Sequence, residues 1–343
     1  MIPYILYLTL VVFLTNRGSG NRYARIIVFI LASLFIGLRE NVGKDYEGYK
    51  YYYETEYYFF EPGYSFICQF FNSYGLSVTY VFFVMAFLTY GFIYLFLEKI
   101  EDKKHIYTPA AIMLYFVTIS ITCNVVRECL VASIILYSYH CIKDSNIIKF
   151  LLLVAFASLF HYSALICLPL YWIKLIRFPI KYYIAIYVFS FVFCFLSLEQ
   201  MVSAFLPYFE NYKRWAGYLD SDKYASNYFS LGLLLELSIY ILTLYISLKS
   251  RIHEKDNVLF NLFFIACVAF NMRIGSPLMT RIGMLFNWYL YLIVPVSLNM
   301  SIRNNKKFIA NYFILYFTLT FVHYVMFDKN SIMYPYNDVL GIF

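Results

Sequence analysis

Long apolar stretches recur along the whole chain, and short polar breaks separate them. Runs of this kind predict membrane-spanning helices, which need roughly 20 residues when they stand perpendicular to the bilayer. Read in order, the apolar stretches lie at 2–15, 23–38, 78–97, 106–123, 127–142, 147–161, 163–176, 182–198, 229–248, 258–272, 281–299 and 308–326. The pattern therefore predicts an all-α, polytopic membrane protein with about 12 transmembrane helices.

One part of this pattern has two interpretations. The segment 147–176 is either a helical hairpin or a single bent helix with its break at His161 or Pro169, and the second choice reverses the orientation of all later spans. With the hairpin, alternate loops place 17 of the 27 Lys and Arg residues on one side and 13 of the 20 acidic residues on the other. A bent helix would divide the basic loops between both faces. Because basic loops stay in the cytoplasm, we prefer the hairpin and place both termini outside.

The composition excludes a soluble domain. The chain is 62% hydrophobic and 14% charged, against about 25% charged residues in soluble domains. Its net charge of +7 follows from the inner loops, where basic residues face anionic lipids, so no nucleic-acid partner is predicted. The 38 Tyr and 36 Phe residues suit interfacial belts and also surfaces for sugar rings.

The longest polar segments lie on the predicted outer side. Residues 39–77 form one outer loop that ends in a short interfacial helix from Tyr64 to Tyr74, and residues 199–228 form a second outer loop. We predict a single integral membrane domain over 1–343 that carries these two segments. Polar side chains have room to converge there, so we expect the chemistry on the outer side.

The usual signatures of cofactor and metal sites are missing from the sequence. It has no GxGxxG or GxxxxGK[ST] phosphate loop, no HExxH and no DxDxDG calcium loop. None of its seven cysteines forms a CxxC pair, which argues against structural zinc. We predict no metal and no cofactor.

Four arginines stand at the predicted outer ends of spans: Arg39, Arg127, Arg273 and Arg281. Arginine keeps its charge in a low dielectric and offers a planar fork that matches phosphate oxygens two at a time. Four such forks gathered at one outer pocket would bind a phosphate or diphosphate. Taken singly, each arginine can equally snorkel into the headgroup layer.

Two residues are candidates for the base that a hydroxyl nucleophile requires. His161, in the turn between spans six and seven, titrates near neutral pH, although a lone histidine in a turn can also cap a helix. Asp45 lies between Gly43 and Gly48 in a turn-forming stretch. Glu236 lies inside span nine, where an unpaired carboxylate is costly, so we predict an outer-side Arg or Lys as its partner.

Six stretches together carry a resemblance to a known family: RENVGKDYEGY, EPGY, NVVRE, FHYSAL, TRIGMLFNWYLYLIVP and YPYN. In this order and spacing the chain resembles the EpsG family of bacterial polysaccharide polymerases, relatives of the Wzy-type O-antigen polymerases, over nearly its whole length. Members of that family more often read NxxRQ where this chain has Glu128.

The resemblance implies a reaction. Such enzymes join oligosaccharide repeat units carried on undecaprenyl diphosphate, at the outer, periplasmic face of the bacterial inner membrane. An acceptor hydroxyl attacks the anomeric carbon of the lipid-linked chain and the lipid diphosphate leaves, so the implied activity is that of a metal-independent glycosyltransferase. The implied partners are the lipid-linked oligosaccharide as donor and acceptor, the lipid bilayer and, as a further candidate, a chain-length regulator.

Residue roles follow when the resemblance is combined with the residues above. Four arginines are assigned to the diphosphate, in the order Arg127, Arg281, Arg39 and Arg273. His161 is the first candidate for the catalytic base and Asp45 the second. Three residues of the first outer loop are assigned to the glycan: Tyr46, Glu61 and Tyr64.

Two other functions use related substrates. An O-antigen ligase takes the same donor with a lipid A core acceptor, but such ligases usually carry one long periplasmic loop, whereas this chain divides its outer polar mass between two. A flippase for lipid-linked oligosaccharides would place charges at the bilayer midplane and show inverted repeats. The charges of this chain lie mostly at the ends of spans.

Overall fold

The apolar stretches of the sequence form helices throughout, and the fold is all-α. The protein is described by a computed structural model over residues 2–192, 231–273, 277–300, 306–327 and 333–342. Those residues contain 16 α-helices, some of them joined by short 3-10 and π-helical stretches. The second predicted outer segment, 199–228, lies outside the described residues.

Within the part of the chain that the structure describes, four helices are long and apolar enough to cross a membrane. They are Val78–Glu98, Gly232–Lys249, Met279–Asn299 and Lys307–Phe327. Shorter apolar helices accompany them: Ile2–Gly18, Ile147–Ser158, Tyr162–Leu175, Ile180–Ser190 and Asn257–Met272. The predictions of an all-α chain and of a multi-pass membrane protein are confirmed, and the number of twelve crossings stays a prediction.

The chain divides into two compact units, Met1–Tyr171 with Arg303–Phe343, and Trp172–Ile302. In chain order the described helices are α1 Ile2–Gly18, α2 Arg22–Gly37, α3 Tyr46–Glu54, α4 Pro62–Ser73, α5 Val78–Glu98, α6 Thr108–Ile112, α7 Ile119–Asn124, α8 Val126–Lys143, α9 Ile147–Ser158, α10 Ile180–Ser190, α11 Leu231–Lys249, α12 Ile252–Lys255, α13 Asn257–Met272, α14 Pro277–Phe286, α15 Leu290–Met300 and α16 Lys306–Val322. Helices α1 to α9 and α16 belong to the first unit, and α10 to α15 belong to the second.

Three helices form the centre of the first unit, where α5 packs against both α2 and α8. Side chains are buried on nearly all sides of α8, as expected for a helix surrounded by others. Gly37 lets α2 approach α5 closely, because a Cβ at that position would lie 2.6 Å from the Cα of Phe83. In a bilayer, helices associate through close packing of this kind, since lipid tails are as apolar as the side chains.

One predicted span is a helix with two wide turns. Residues 103–124 run through a π-helical stretch, α6, a second π-helical stretch and α7. Pro109 lies in the first turn of α6. Its nitrogen has no proton to donate and its ring displaces the carbonyl group of the preceding turn, which widens the helix before it.

The first outer loop contains two helices, α3 and α4. The sequence predicted α4, which starts two residues earlier than expected because Pro62 occupies its first turn, where proline is well tolerated. Helix α3 was not predicted, although Tyr46, Tyr49 and Tyr53 of its stretch YEGYKYYYE recur at helical spacing; Tyr46 and Tyr53 are buried. The interfacial position of α4 stays a prediction.

Several distant segments meet at one end of the first unit, which we call the loop end. Lys44 N–H donates to Asn124 Oδ1 at 2.5 Å, and Gly63 N–H donates to the Leu159 carbonyl at 2.7 Å. These bonds join the first outer loop to the turn after α7 and to the end of α9. The first outer loop, the end of α7 and the end of α9 therefore lie on the same side of the first unit, as successive crossings of one bilayer require.

The C-terminal residues 333–342 also lie at the loop end. Arg39 and Asp338 form an antiparallel bridge. The Tyr336 hydroxyl donates to the Phe35 carbonyl at 2.5 Å, and the two rings stack with their centroids 4.4 Å apart. The stretch YPYN is therefore a structural part of the first unit.

Candidate functional site

Arg127 and Glu61 form a buried ion pair at the loop end. Arg127 lies in the first turn of α8, and Glu61 directly precedes α4. Arg127 Nη1 donates to Glu61 Oε2, and the two side chains are 14% and 7% exposed. We call this pair and the three rings around it, those of Tyr49, Phe60 and Tyr64, the Arg127 site.

The rings of the Arg127 site enclose the guanidinium group. Its Cζ lies 4.3 Å from the ring centroid of Phe60, 5.7 Å from that of Tyr64 and 6.0 Å from that of Tyr49. These distances are within the range of cation–π attraction. Burial raises the pKa of both Tyr49 and Tyr64, so both phenols are neutral at physiological pH. Rings that exclude water in this way strengthen every electrostatic interaction at the site.

The donors of Arg127 are only partly used. Arg127 Nε is buried and has no hydrogen-bond partner among the described residues. The residue that precedes α8, Val125, supplies no side-chain cap, so the positive end of an 18-residue helix lies at the same place. Glu128, in the same first turn of α8, adds a second shielded carboxylate beside the pair. What the site offers an anion is therefore the unused Nε donor and the N-terminus of α8, and a phosphate oxygen fits that donor.

The EPGY stretch fixes the backbone of Glu61. The Gly63 N–H bond to Leu159 ties this stretch to the end of α9, and a Cβ at Gly63 would lie 2.8 Å from the same Leu159 oxygen. Glycine is therefore required for this contact. Glu61 Oε1 accepts a long bond, 3.4 Å, from Tyr162 N–H. The side chain of Glu61 is thus held mainly by Arg127, while its backbone is held by α9.

His161 lies beside the Arg127 site and pairs with Glu128. Its Nε2 is 3.5 Å from Glu128 Oε1, and its Nδ1 is 2.7 Å from Ser163 Oγ. Ser163 N–H also donates to Nδ1, at 3.3 Å. Because Nδ1 accepts, the proton of the neutral ring is on Nε2 and faces Glu128. Both ring nitrogens have protein partners, and the role of His161 as a base stays a prediction.

Asp45 lies at the start of α3 and is half-buried. The loop before it is seated on the turn between α7 and α8 through Gly43, which has a φ of +101° and whose Cβ, if present, would lie 2.4 Å from the carbonyl oxygen of Cys123. Tyr46, which follows Asp45, is buried and stacks on Phe82 with centroids 5.0 Å apart. The structure thus anchors the backbone around Asp45, whose role as a base stays a prediction.

Arg39 is fully buried and donates to the backbone. Its three nitrogens donate to the carbonyl groups of Ile36, Val42 and Cys123 at 2.6, 3.1 and 3.1 Å. Its Cζ also lies 4.5 Å from the ring centroid of Phe82. These bonds hold the start of the first outer loop on α2 and α7. The assignment of Arg39 to a diphosphate stays a prediction.

The second unit contains another arginine–glutamate pair. Arg273 Nη2 donates to Glu236 Oε2 at 2.5 Å, and Arg273 Cζ lies 4.1 Å from the ring centroid of Phe270. The predicted arginine partner of Glu236 is confirmed. Arg281 lies in α14 and is half-buried. The assignment of Arg273 and Arg281 to a diphosphate stays a prediction.

Among the described residues, no group of three or more His, Cys, Asp or Glu side chains is placed to hold a metal ion. The described cysteines are free and buried: Cys68, Cys123, Cys129, Cys141, Cys167 and Cys267. The charges of the Arg127 site come from its own side chains, those of Arg127 and Glu61.

Two rings of the site and its central ion pair were not predicted from the sequence. Tyr49 and Phe60 were not singled out, and Glu61 was assigned to the glycan rather than to Arg127. A signal for them exists in the sequence, because Phe60 and Tyr64 flank an acid in a loop rich in rings. Buried cations are commonly enclosed by such rings.

Fold and site together define a multi-pass helical membrane protein with a buried, ring-lined arginine–glutamate site at the loop end of its first unit. A family model described as the EpsG family matches residues 22–337, and the chain belongs to this family. The family is linked to exopolysaccharide synthesis. The matched residues include the whole Arg127 site. No curated protein and no solved structure matches the chain.

Proposed function

We propose that the protein is a polysaccharide polymerase that joins oligosaccharide repeat units carried on undecaprenyl diphosphate, at the periplasmic face of the bacterial inner membrane. In this proposal the chain crosses the bilayer twelve times, and the loop end of the first unit faces the periplasm. Membership of a family linked to exopolysaccharide synthesis supports the substrate class. The Arg127 site supports the chemistry.

One observation carries the proposal: Arg127 Nε is buried without a hydrogen-bond partner, in a guanidinium group whose other polar contacts are with Glu61 and Tyr49. A buried donor left unpaired costs about 1–3 kcal/mol. A phosphate group can accept two parallel hydrogen bonds from one edge of a guanidinium group. Glu61 accepts only one, from Nη1. A lipid diphosphate at this position would remove the cost.

The same arrangement suits the bond-breaking step. The acceptor hydroxyl attacks the anomeric carbon, the bond from that carbon to the diphosphate breaks, and negative charge builds up on the leaving diphosphate. Arg127 and the positive end of α8 stabilise that charge, and the rings of Tyr49, Phe60 and Tyr64 keep the local dielectric low. Removing one such donor typically costs about 100-fold to 1,000-fold in rate.

The glycan is placed on the exposed rings of the first outer loop. Four large aromatic side chains there are each more than 60% exposed: Tyr51, Tyr57, Phe66 and Tyr74. Exposed rings on one segment mark an interaction surface, and sugars stack on aromatic faces. Tyr46, Glu61 and Tyr64, which the sequence assigned to the glycan, are buried and in this proposal shape the site beneath that surface.

The proposal is tested by replacing Arg127 with Gln, which removes the charge while keeping a polar side chain. In cells that depend on this chain for surface glycan, we expect long glycan to be replaced by single repeat units, with a loss of polymer of at least roughly 100-fold. The measurement is a gel of surface glycan at matched protein levels. Long glycan of wild-type yield in this variant would overturn the proposal.

A matched control is Arg17→Gln, because Arg17 is exposed at the end of α1. This variant should make glycan of normal length. The same gel separates related functions. Loss of a ligase would remove all glycan from the lipid A core, including single units, and loss of a flippase would hold lipid-linked units on the cytoplasmic leaflet.

A further inference from the structure

The Arg127 site contains a carboxylate that the diphosphate proposal does not use. Glu61 is 6% exposed, occupies one guanidinium nitrogen of Arg127, and precedes a helix whose N-terminus it does not cap with its side chain. In a site built for an anionic ligand, a second fixed anion next to the binding arginine opposes binding unless it has a role of its own.

We propose, resting on the function proposed above, that Glu61 is the base that takes the proton from the acceptor hydroxyl. Until the lipid diphosphate binds Arg127, the guanidinium group holds Glu61 as its counter-ion. Glu61 would then touch the reacting hydroxyl and would be a catalytic residue. Its present contact with Arg127 is the resting state of the site.

The geometry allows this exchange. Glu61 is bound to Arg127 through one oxygen and one nitrogen, and its other oxygen accepts a long bond from Tyr162 N–H. A diphosphate can engage the unpartnered Nε together with Nη2, the edge that Glu61 leaves open, and its charge weakens the hold of Arg127 on Glu61. The backbone of Glu61 stays fixed during the exchange because Gly63 is bonded to the end of α9, so only the side chain needs to rotate.

The exchange also activates the carboxylate. In the resting site Glu61 Oε2 is engaged by Arg127 rather than by an acceptor hydroxyl. When a diphosphate binds the guanidinium, the hold on Oε2 weakens and the carboxylate can turn to the acceptor hydroxyl. The base is thereby switched on only when the donor substrate is bound.

Each atom is accounted for in the step. The acceptor hydroxyl gives its proton to Glu61, its oxygen forms a bond to the anomeric carbon, and the bond from that carbon to the diphosphate oxygen breaks with its electron pair on the diphosphate. The lipid diphosphate then leaves Arg127. Glu61 passes the proton to water and is recaptured by Arg127.

The other base candidates have different surroundings. Both nitrogens of His161 contact protein groups, Ser163 on one side and Glu128 on the other. Asp45 lies at the start of α3, on a loop seated against the α7–α8 turn. Glu61 alone of the three is bonded to the guanidinium that the proposal assigns to the diphosphate.

The test is Glu61→Gln, an isosteric change that keeps an acceptor for Arg127. Purified protein in nanodiscs is titrated with undecaprenyl diphosphate, and surface glycan is measured in cells. We expect binding to be retained or strengthened by roughly fivefold, because the competing ion pair is weakened. Polymer formation should fall by about 100-fold to 10,000-fold, the range for loss of a general base.

Glu61→Asp supplies the matched variant, because it keeps the carboxylate on a shorter side chain. It should recover part of the polymer formation that Glu61→Gln loses. Normal glycan length in Glu61→Gln, or the same loss in the Asp and Gln variants with weakened diphosphate binding in both, would overturn the proposal by showing that Glu61 only positions Arg127.

The function proposed above fails in a different way. If Arg127→Gln binds undecaprenyl diphosphate as well as wild type and still makes long glycan, the diphosphate assignment itself is wrong, whatever the Glu61 variants do. If Arg127→Gln loses both diphosphate binding and long glycan while Glu61→Gln keeps both, the polymerase proposal stands and the assignment of Glu61 as base falls.

Discussion

Two arginine–glutamate pairs lie at opposite ends of the first unit and differ in how their donors are used. Arg25 and Arg127 are similarly shielded, with side chains 12% and 14% exposed. Arg25 donates through Nε and Nη2 to Glu98 and through Nη1 to the Gly18 carbonyl at 2.7 Å. Arg127 donates through Nη1 to Glu61, and its Nε has no hydrogen-bond partner in the described residues.

The comparison shows that burial and pairing do not by themselves identify a binding arginine. Arg25 joins the α1–α2 turn to the end of α5, and all of its nitrogens are engaged, as in a structural ion pair. Arg127 also pairs with a glutamate, but its Nε has no hydrogen-bond partner among the described residues. An anion can bind to this unused donor, and Arg25 offers no such donor.

Exchanging each arginine for lysine should separate the two pairs by function. Lysine keeps the charge but has no planar fork. Arg127→Lys should lose about 100-fold or more in polymer formation, since two-point contact with the diphosphate is lost. It should lose little stability, because Lys can still pair with Glu61. The measurements are glycan length in cells and thermal unfolding in detergent.

Arg25→Lys should show the opposite result. It gives up two of three charged hydrogen bonds, each worth about 1.5–3 kcal/mol, so the unfolding free energy should fall by about 2 kcal/mol or more. Its polymer yield per folded molecule should stay normal. Equal losses of activity in both lysine variants at equal stability would remove the distinction between the pairs.

The glycines that support the two ends offer a second comparison. At the loop end, Gly43 has a φ of +101°, and an added Cβ would lie 2.4 Å from the backbone oxygen of Cys123. Gly43→Ala should therefore cost roughly 1–3 kcal/mol in stability, and it should reduce activity because it shifts the loop that carries α3. At the opposite end, a Cβ at Gly18 would meet the side chain of Arg25 at 2.9 Å.

The added Cβ would also lie 3.0 Å from the Tyr107 hydroxyl oxygen, but both contacts are with side chains and Gly18 has no positive φ. Gly18→Ala should therefore cost less than Gly43→Ala and leave activity per folded molecule unchanged. Gly48→Ala is the control within the loop end. Gly48 lies inside α3, and a Cβ there would meet nothing within 4 Å. It should stabilise the helix by about 0.5–1 kcal/mol. A Gly43→Ala protein as stable as wild type would show that the seated loop does not fix the site.

The helices were largely predictable from the sequence because apolar runs of near-membrane length have few other structures open to them. The hairpin at 147–176 was inferred from loop charge and stays a prediction. The α-helix ends at Ser158 and a 3-10 helix begins at Tyr162, which both the hairpin and the bent helix with a break at His161 allow. The wide turns before and after α6 were not predicted, since π-helical stretches leave no apolar signature. Helix α3 was missed for another reason: Tyr46, Tyr49 and Tyr53 recur at helical spacing, but they lie in a polar loop stretch.

The site was predictable only in part. The choice of Arg127 followed from its position at a helix start, and the partner of Glu236 followed from the cost of a buried charge. The pairing of Arg127 with Glu61 could not be derived, because the two are 66 residues apart and several acids of the first outer loop were equally placed in the sequence. Nor could the sequence show that Arg39 would donate to three backbone carbonyl groups.

Alkaline pH should distinguish the two ends by a smaller effect. The loop end contains a buried thiol, since burial raises the pKa of Cys68 in α4 from its ordinary value of 9.0 to about 12. The folded state keeps this proton where the unfolded chain has lost it. Its stabilising contribution is therefore complete below pH 9 and is lost as the pH rises toward 12.

Cys68→Ala removes that dependence and leaves both ion pairs intact. The stability difference between wild type and this variant should shrink by about 1 kcal/mol between pH 8 and pH 10, close to one unit of linked protonation. Thermal unfolding in detergent across that range measures it, and the Gly48→Ala difference should stay constant over the same range because alanine does not titrate. A stability difference between wild type and Cys68→Ala that does not change with pH would mean that the thiol has an ordinary pKa in the folded protein. The packing of α4 over the Arg127 site would then be looser than the 2% exposure of Cys68 indicates.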